Sequence, residues 1–191
     1  ENADLLVLYG GGWQNKMYVS ASGYKSESVK VTGKNCKISG PDGKGMYTAT
    51  VPDVRKKIAT IVVSATDDNG RNFELAKKEF RLFGLPEPTA FFGGQKRGAI
   101  SRTDAKNIPV LVAKLEDNPL NCPFKVVSYK VKCNASDPPW DLPSNGKRMT
   151  KAIQKKIGKT PKGLEIKFHK IKISGPNGKP KEIQPITLTL K

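Results

Sequence analysis

The stretch Pro86–Ser101, PEPTAFFGGQKRGAIS, lies between two runs with strand character, Phe73–Phe83 before it and Ile108–Leu115 after it. Pro86 and Pro88 lack backbone donors and bias the residues before them to extended geometry, which suits a stiff connector. Gly93-Gly94 and Gly98 then admit tight turns that a side chain would resist. The stretch reads as a boundary between two β-rich units. It predicts a first domain over 1–84, a linker of Leu85, Pro86, Glu87 and Pro88, and a second domain over 89–191.

Period-two alternation dominates on both sides of this boundary. Met17, Val19 and Ala21 share one face, as do Tyr47, Ala49 and Val51, and then Val127, Tyr129, Val131 and Cys133. Ile58–Ala65 (IATIVVSA) is nearly continuous and rich in β-branched residues, the pattern of a central strand covered on both faces. Turn signals punctuate these runs: Pro41-Asp42-Gly43, Asp68-Asn69-Gly70, Ser144-Asn145-Gly146 and Pro176-Asn177-Gly178. The phrase KISGP-x-GK occurs at Lys37–Lys44 and again at Lys172–Lys179, the same turn chemistry used twice.

The fold class is therefore all-β: two tandem β-sandwich-like domains, the first immunoglobulin-like in its count of about seven strands. Two short helices are expected. Ser101 caps a turn through Lys106, and Thr150 caps Lys151–Ile157, with Ile153 and Ile157 facing inward and Gly158 ending the helix. In Leu164–Ile173, Leu164, Ile166 and Phe168 share one parity and Ile171 and Ile173 the other. A β-bulge near His169-Lys170 would return all five to the core; two strands, or one that switches sheets, would also explain the break.

At 191 residues the chain can bury one large core or two of about a hundred residues each. It contains no apolar run long enough to span a membrane. It begins at Glu1 with neither an initiator Met nor a signal peptide, which predicts a processed product or an excised fragment. The three cysteines, Cys36, Cys122 and Cys133, show no C-x-x-C spacing, so neither a disulfide framework nor a zinc site is expected. If Phe124–Lys132 is one strand, Cys122 and Cys133 stand about 36 Å apart, far beyond the roughly 7 Å a disulfide allows.

The net charge of +17 is unevenly shared. Residues 1–85 carry 13 basic and 9 acidic groups, whereas residues 86–191 carry 21 basic and 8 acidic groups. Such a basic half calls for an acidic partner: nucleic acid, anionic headgroups or lipopolysaccharide, or an acidic protein. The alternative is a solvated lysine surface. Lys147, Arg148, Lys151, Lys155 and Lys156 cluster on and before the second helix and are the candidate partner-binding residues. Trp140 and Phe168 are the only rings nearby and no nucleic-acid module matches, so no nucleic acid is expected.

Little points to catalysis. His169 is the only histidine, set between lysines in a strand with no acid close in sequence. Ser22–Lys25 and Ser144–Lys147 match S-x-x-K, but 11 Ser and 28 Lys produce such matches by chance. Gly10-Gly11-Gly12 lacks the spacing of a phosphate cradle. We expect no catalytic residues, no cofactor and no metal.

Three segments together resemble the GldM/PorM family of gliding-motility proteins. YGGGWQNKMYVSASGYKSESVKV (Tyr9–Val31) resembles the start of that family's third periplasmic domain, and FRLFGLPEPTAFFGGQKRGAIS (Phe80–Ser101) the lead into its last domain. SNGKRMTKAIQKKIG (Ser144–Gly158), continued by EIKFHKIKISGPNGKPKEIQPITLTLK (Glu165–Lys191), resembles that domain's terminal helix and strands. Two places depart from the family pattern. Lys16 stands where a proline follows the asparagine, and Asp137–Pro143 (DPPWDLP) is peculiar to this sequence.

The resemblance implies a periplasmic fragment of a protein anchored in the inner membrane by an N-terminal helix that lies outside this sequence. It implies a homodimer and a proton-driven motor partner reached through that upstream region. At the distal end it implies docking to an outer-membrane ring lipoprotein and its partner protein. The function implied is that of a non-catalytic connector of type IX secretion and gliding, transmitting conformational change or torque. The alternative is a basic two-domain adhesin or polyanion-binding module.

Overall fold

The computed structural model describes residues 6–118 and 120–191. The chain divides into two compact units, Glu1–Leu85 and Pro86–Lys191. Leu85 closes the first unit. Of the connector residues, Pro86, Glu87 and Pro88 group with the second, where Pro88 is buried and Glu87 pairs with Lys181 at 3.0 Å.

Among its described residues the first unit has seven strands: β1 (Val7–Tyr9), β2 (Asn15–Tyr18), β3 (Val29–Lys34), β4 (Lys37–Ser39), β5 (Met46–Thr50), β6 (Ile58–Thr66) and β7 (Asn72–Phe83). They form two sheets, β1-β7-β6-β3 and β2-β5-β4, with β1 parallel to β7 and the remaining pairs antiparallel. Pairing β2 with β5 and β3 with β6 is the crossed connectivity of an immunoglobulin-like sandwich. Leu8, Ala49, Val51, Ala59, Ile61 and Leu82 fill the space between the sheets.

Asn15 ties β1 to β5 across that interior. Its Oδ1 accepts from Tyr9 N at 2.8 Å, while its Nδ2 donates to Tyr9 O at 2.8 Å and to Ala49 O at 3.0 Å. β6 departs from the expected double cover. Ala59, Ile61 and Ala65 are buried but Thr60, Val62 and Ser64 are only half-buried, because a two-layer sandwich has nothing to lay over the outer face.

The second unit runs β8 (Thr89–Phe92), β9 (Ala99–Ile100), α1 (Arg102–Asn107), β10 (Leu111–Lys114), β11 (Lys125–Cys133), β12 (Trp140–Asn145), α2 (Lys151–Lys159), β13 (Glu165–Ser174), β14 (Pro180–Ile183) and β15 (Ile186–Leu190). The large sheet is ordered β12-β11-β13-β15-β9, with β14 also paired to β13; β8 and β10 form a separate ribbon. Phe92 from the ribbon, Phe168 from the sheet and Ile153 and Ile157 from α2 meet in one core. The Phe92 and Phe168 ring centroids are 4.6 Å apart.

The bulge at His169-Lys170 is present in a single continuous strand. Ile166, Phe168, Ile171 and Ile173 are all buried, Leu164 is half-buried, and Lys170 takes φ +50° on the solvent side. A second bulge accompanies it. Val131 pairs with Phe168 and Val126 with Ile173 in one register, but between them Ser128 pairs with Lys172. β13 thus carries its extra residue near Lys170 and β11 carries a matching one at Val127, and the two offsets cancel. This corrects the simple alternation along β11: Val126 is 8% exposed and Val127 41%, so Val127 does not share the inner face with Tyr129, Val131 and Cys133.

Both helix caps form. Ser101 Oγ accepts from Asp104 N at 3.0 Å and Thr150 Oγ1 from Ile153 N at 3.3 Å. Gly158, however, does not end α2, which continues through Lys159 and is capped by Thr160. A Cβ on Gly158 would lie 3.1 Å from Lys106 Cδ, so this glycine serves the close approach of α1. All three cysteines are free and buried.

Candidate partner-docking face

Thr160 and Thr150 fix the two ends of α2, and Ile153 and Ile157 seat it on the core with no residual exposure. The opposite side is left to Lys151, Lys155 and Lys159, one turn apart and all exposed. Lys147 and Arg148 precede the helix on a turn held by backbone bonds. Lys147 O accepts from Leu111 N and Met149 N donates to Pro109 O, both at 2.9 Å. Ser144 Oγ donates to Arg148 O. The fold thus gathers Lys147, Arg148, Lys151 and Lys155 as exposed cations around one helix, with Lys156 half-buried. Among the described residues, none of the five lies within ion-pair distance of a carboxylate.

Alongside α2 lies a groove of about 460 Å³. Ala152, Lys155, Lys156 and Lys159 form one wall, Ser136, Asp137 and Pro138 the other, with Trp140, Leu142 and Pro161 also lining it. Ser136 is buried, its Oγ 3.0 Å from Cys133 O and 3.1 Å from Pro138 O, so the turn forming the second wall is tied to the end of β11. Reading the sequence locally misses this groove, because its two walls come from stretches separated by a strand. The available signal was the tryptophan and prolines of Asp137–Pro143, set just before a lysine-rich helix.

His169 sits on the open side of the large sheet. Its Nε2 lies 3.0 Å from Asp141 Oδ1, and Lys130 Nζ lies 3.8 Å from Asp141 Oδ2. An acid thus orients the imidazole in space although none does so in sequence. Of the two S-x-x-K serines, Ser144 is buried and its hydroxyl is engaged with Arg148 O. Burial raises the thiol pKa of Cys36 and Cys122, which disfavours the reactive thiolate. Among the described residues no cluster of His, Cys, Asp and Glu could hold a metal, and no helix is long and apolar enough to cross a membrane.

The fold and this face define a tandem β-module protein whose concentrated surface chemistry is cationic. Residues 86–191 match the family model described as the GldM C-terminal domain, and residues 2–82 match the one described as the GldM third domain. The chain belongs to the GldM family, and with it to the machinery of gliding motility and type IX secretion. Domains of this family are periplasmic parts of that secretion system. No curated protein matches the chain. Among solved structures, the chicken VE-cadherin EC1-2 fragment is 13% identical over 99% of this chain and 97% of that one. Its TM-score of 0.28 carries no argument.

Proposed function

We propose that this chain is a non-catalytic connector in the gliding and type IX secretion machinery. It links an inner-membrane, proton-driven motor to an outer-membrane-associated ring and passes conformational change or torque between them. The observation that carries this reading is the succession of a third and a C-terminal GldM domain, the latter presenting unpaired cations around α2. In this reading the second unit docks a ring lipoprotein and its partner protein through Lys147, Arg148, Lys151, Lys155 and Lys156. The protein acts as a homodimer and reaches its motor partner through a region upstream of the present sequence.

The unpaired cations also fit an adhesin or polyanion-binding module, since unneutralised lysines bind polyanions without regard to sequence. A pull-down from Bacteroidota envelope extract, with excess polyanion as competitor, separates the two. The connector reading expects the ring proteins to be retained despite the competitor. Recovery only of polyanions that the competitor removes would refute it.

A further inference from the structure

We infer that the groove between α2 and the Ser136–Trp140 turn receives an extended, acidic segment of a partner protein, with one apolar side chain seated among Trp140, Leu142 and Pro161. The inference rests on reading the α2 face as a docking surface and narrows that surface to one cleft and one kind of occupant.

Spacing is the first argument. Lys155 and Lys159 lie one turn apart, about 6 Å along the helix axis. Residues on one side of an extended chain recur every 6.6 Å or so, close to that interval. Alternate carboxylates of such a chain can therefore meet successive lysines without bending the backbone.

Chemistry is the second. Trp140, Leu142, Ala152, Pro138 and Pro161 make the rest of the lining largely apolar, which suits a buried aliphatic side chain and not a run of phosphates. Facing the lysines stands Asp137, exposed and free of any ion pair among the described residues. A peptide offers backbone N–H groups to Asp137 and carboxylates to the lysines, whereas a nucleic-acid backbone would press phosphate against Asp137. Trp140 is only 8% exposed, too little for a base-stacking platform. The charge is complementary only to an acidic partner, and the turn held by Ser136 gives the cleft a formed second wall before anything binds.

The test uses a short fluorescein-labelled peptide with one leucine between runs of glutamate, titrated into the whole chain by fluorescence anisotropy. Three changes are each expected to weaken binding about tenfold: Lys155→Glu with Lys159→Glu, Ala152→Trp, and replacing the probe's leucine with serine. Ala152 is exposed, so Ala152→Trp leaves the helix seat undisturbed. Binding that the lysine reversals abolish but Ala152→Trp and the serine probe leave unchanged would overturn the groove and leave a diffuse charge contact. The same variants in the envelope pull-down separate the two levels. Ring capture lost with the lysine reversals but kept with Ala152→Trp removes the groove and preserves the docking face. Capture kept in all variants removes both.

Discussion

Tyr129 provides a test whose sign runs against the usual outcome of changing a core residue. Its ring is 1% exposed and its centroid is 6.0 Å from that of Phe168, yet its hydroxyl is buried without a hydrogen bond. Ser144 lies beside it, its own hydroxyl donating to Arg148 O, and makes no hydrogen bond to the phenol. Burial raises the phenol's pKa and the Ser144 contact offsets only part of that rise. A buried hydroxyl left unmatched costs about 1–3 kcal/mol of desolvation. Tyr129→Phe removes that cost and keeps the ring, leaving at most a void one oxygen wide. The expected result is a gain of about 1 kcal/mol, hence a urea midpoint higher by roughly 0.3–1 M.

Trp140 fluorescence in a Trp13→Phe background reads the second unit. Ser144→Ala should cost about 1 kcal/mol through its lost bond to Arg148 O. The two changes should add within about 0.5 kcal/mol. A loss of about 1 kcal/mol or more in Tyr129→Phe, with strong coupling to Ser144→Ala, would instead show a hydrogen-bonded Tyr129–Ser144 pair.

Two further predictions concern the first unit. Asn15→Ala strands Tyr9 N, Tyr9 O and Ala49 O, and should cost about 3 kcal/mol by denaturant titration, since each buried polar group left unmatched costs about 1–3; a cost below 1 would mean that water replaces the amide. Asp53, bonded to the Arg55 side chain, and Asp42, accepting from Met46 N and Lys44 N, both have carboxyl pKa values held below the ordinary range. Depressed folded values stabilise above the unfolded aspartate pKa of about 3.9, and that stability is lost as pH falls through the lower folded values. An acid titration should therefore show a declining limb below about pH 4 that Asp42→Asn and Asp53→Asn flatten; an unchanged limb would remove these contacts as its source.

The parity switch between Phe168 and Ile171 made the β13 bulge legible, because inward-facing residues of one strand cannot occupy both parities unless an extra residue intervenes. Its counterpart on β11 was invisible for a simple reason. Val126 and Val127 are the same residue, so nothing in their chemistry marks which one turns inward. Caps at Ser101 and Thr150 were readable because a hydroxyl next to a helix start acts locally. Gly158 was not, since glycine after an amphipathic turn ordinarily marks an end and only the packing of α1 reveals another use. The lysines around α2 stood out in the sequence, whereas the groove beside them needed the fold to bring Asp137–Leu142 against α2.

If the protein acts as the proposed connector, its second unit reaches the outer-membrane ring. Site-specific photo-crosslinking in living cells tests it most directly, with a photoreactive residue placed at exposed Lys147 of the full-length protein. A ring-docking second unit gives crosslinks to an outer-membrane-associated lipoprotein or its partner, lost when Lys151, Lys155 and Lys156 are reversed to Glu. Crosslinks confined to inner-membrane proteins, or unaffected by that reversal, would contradict it.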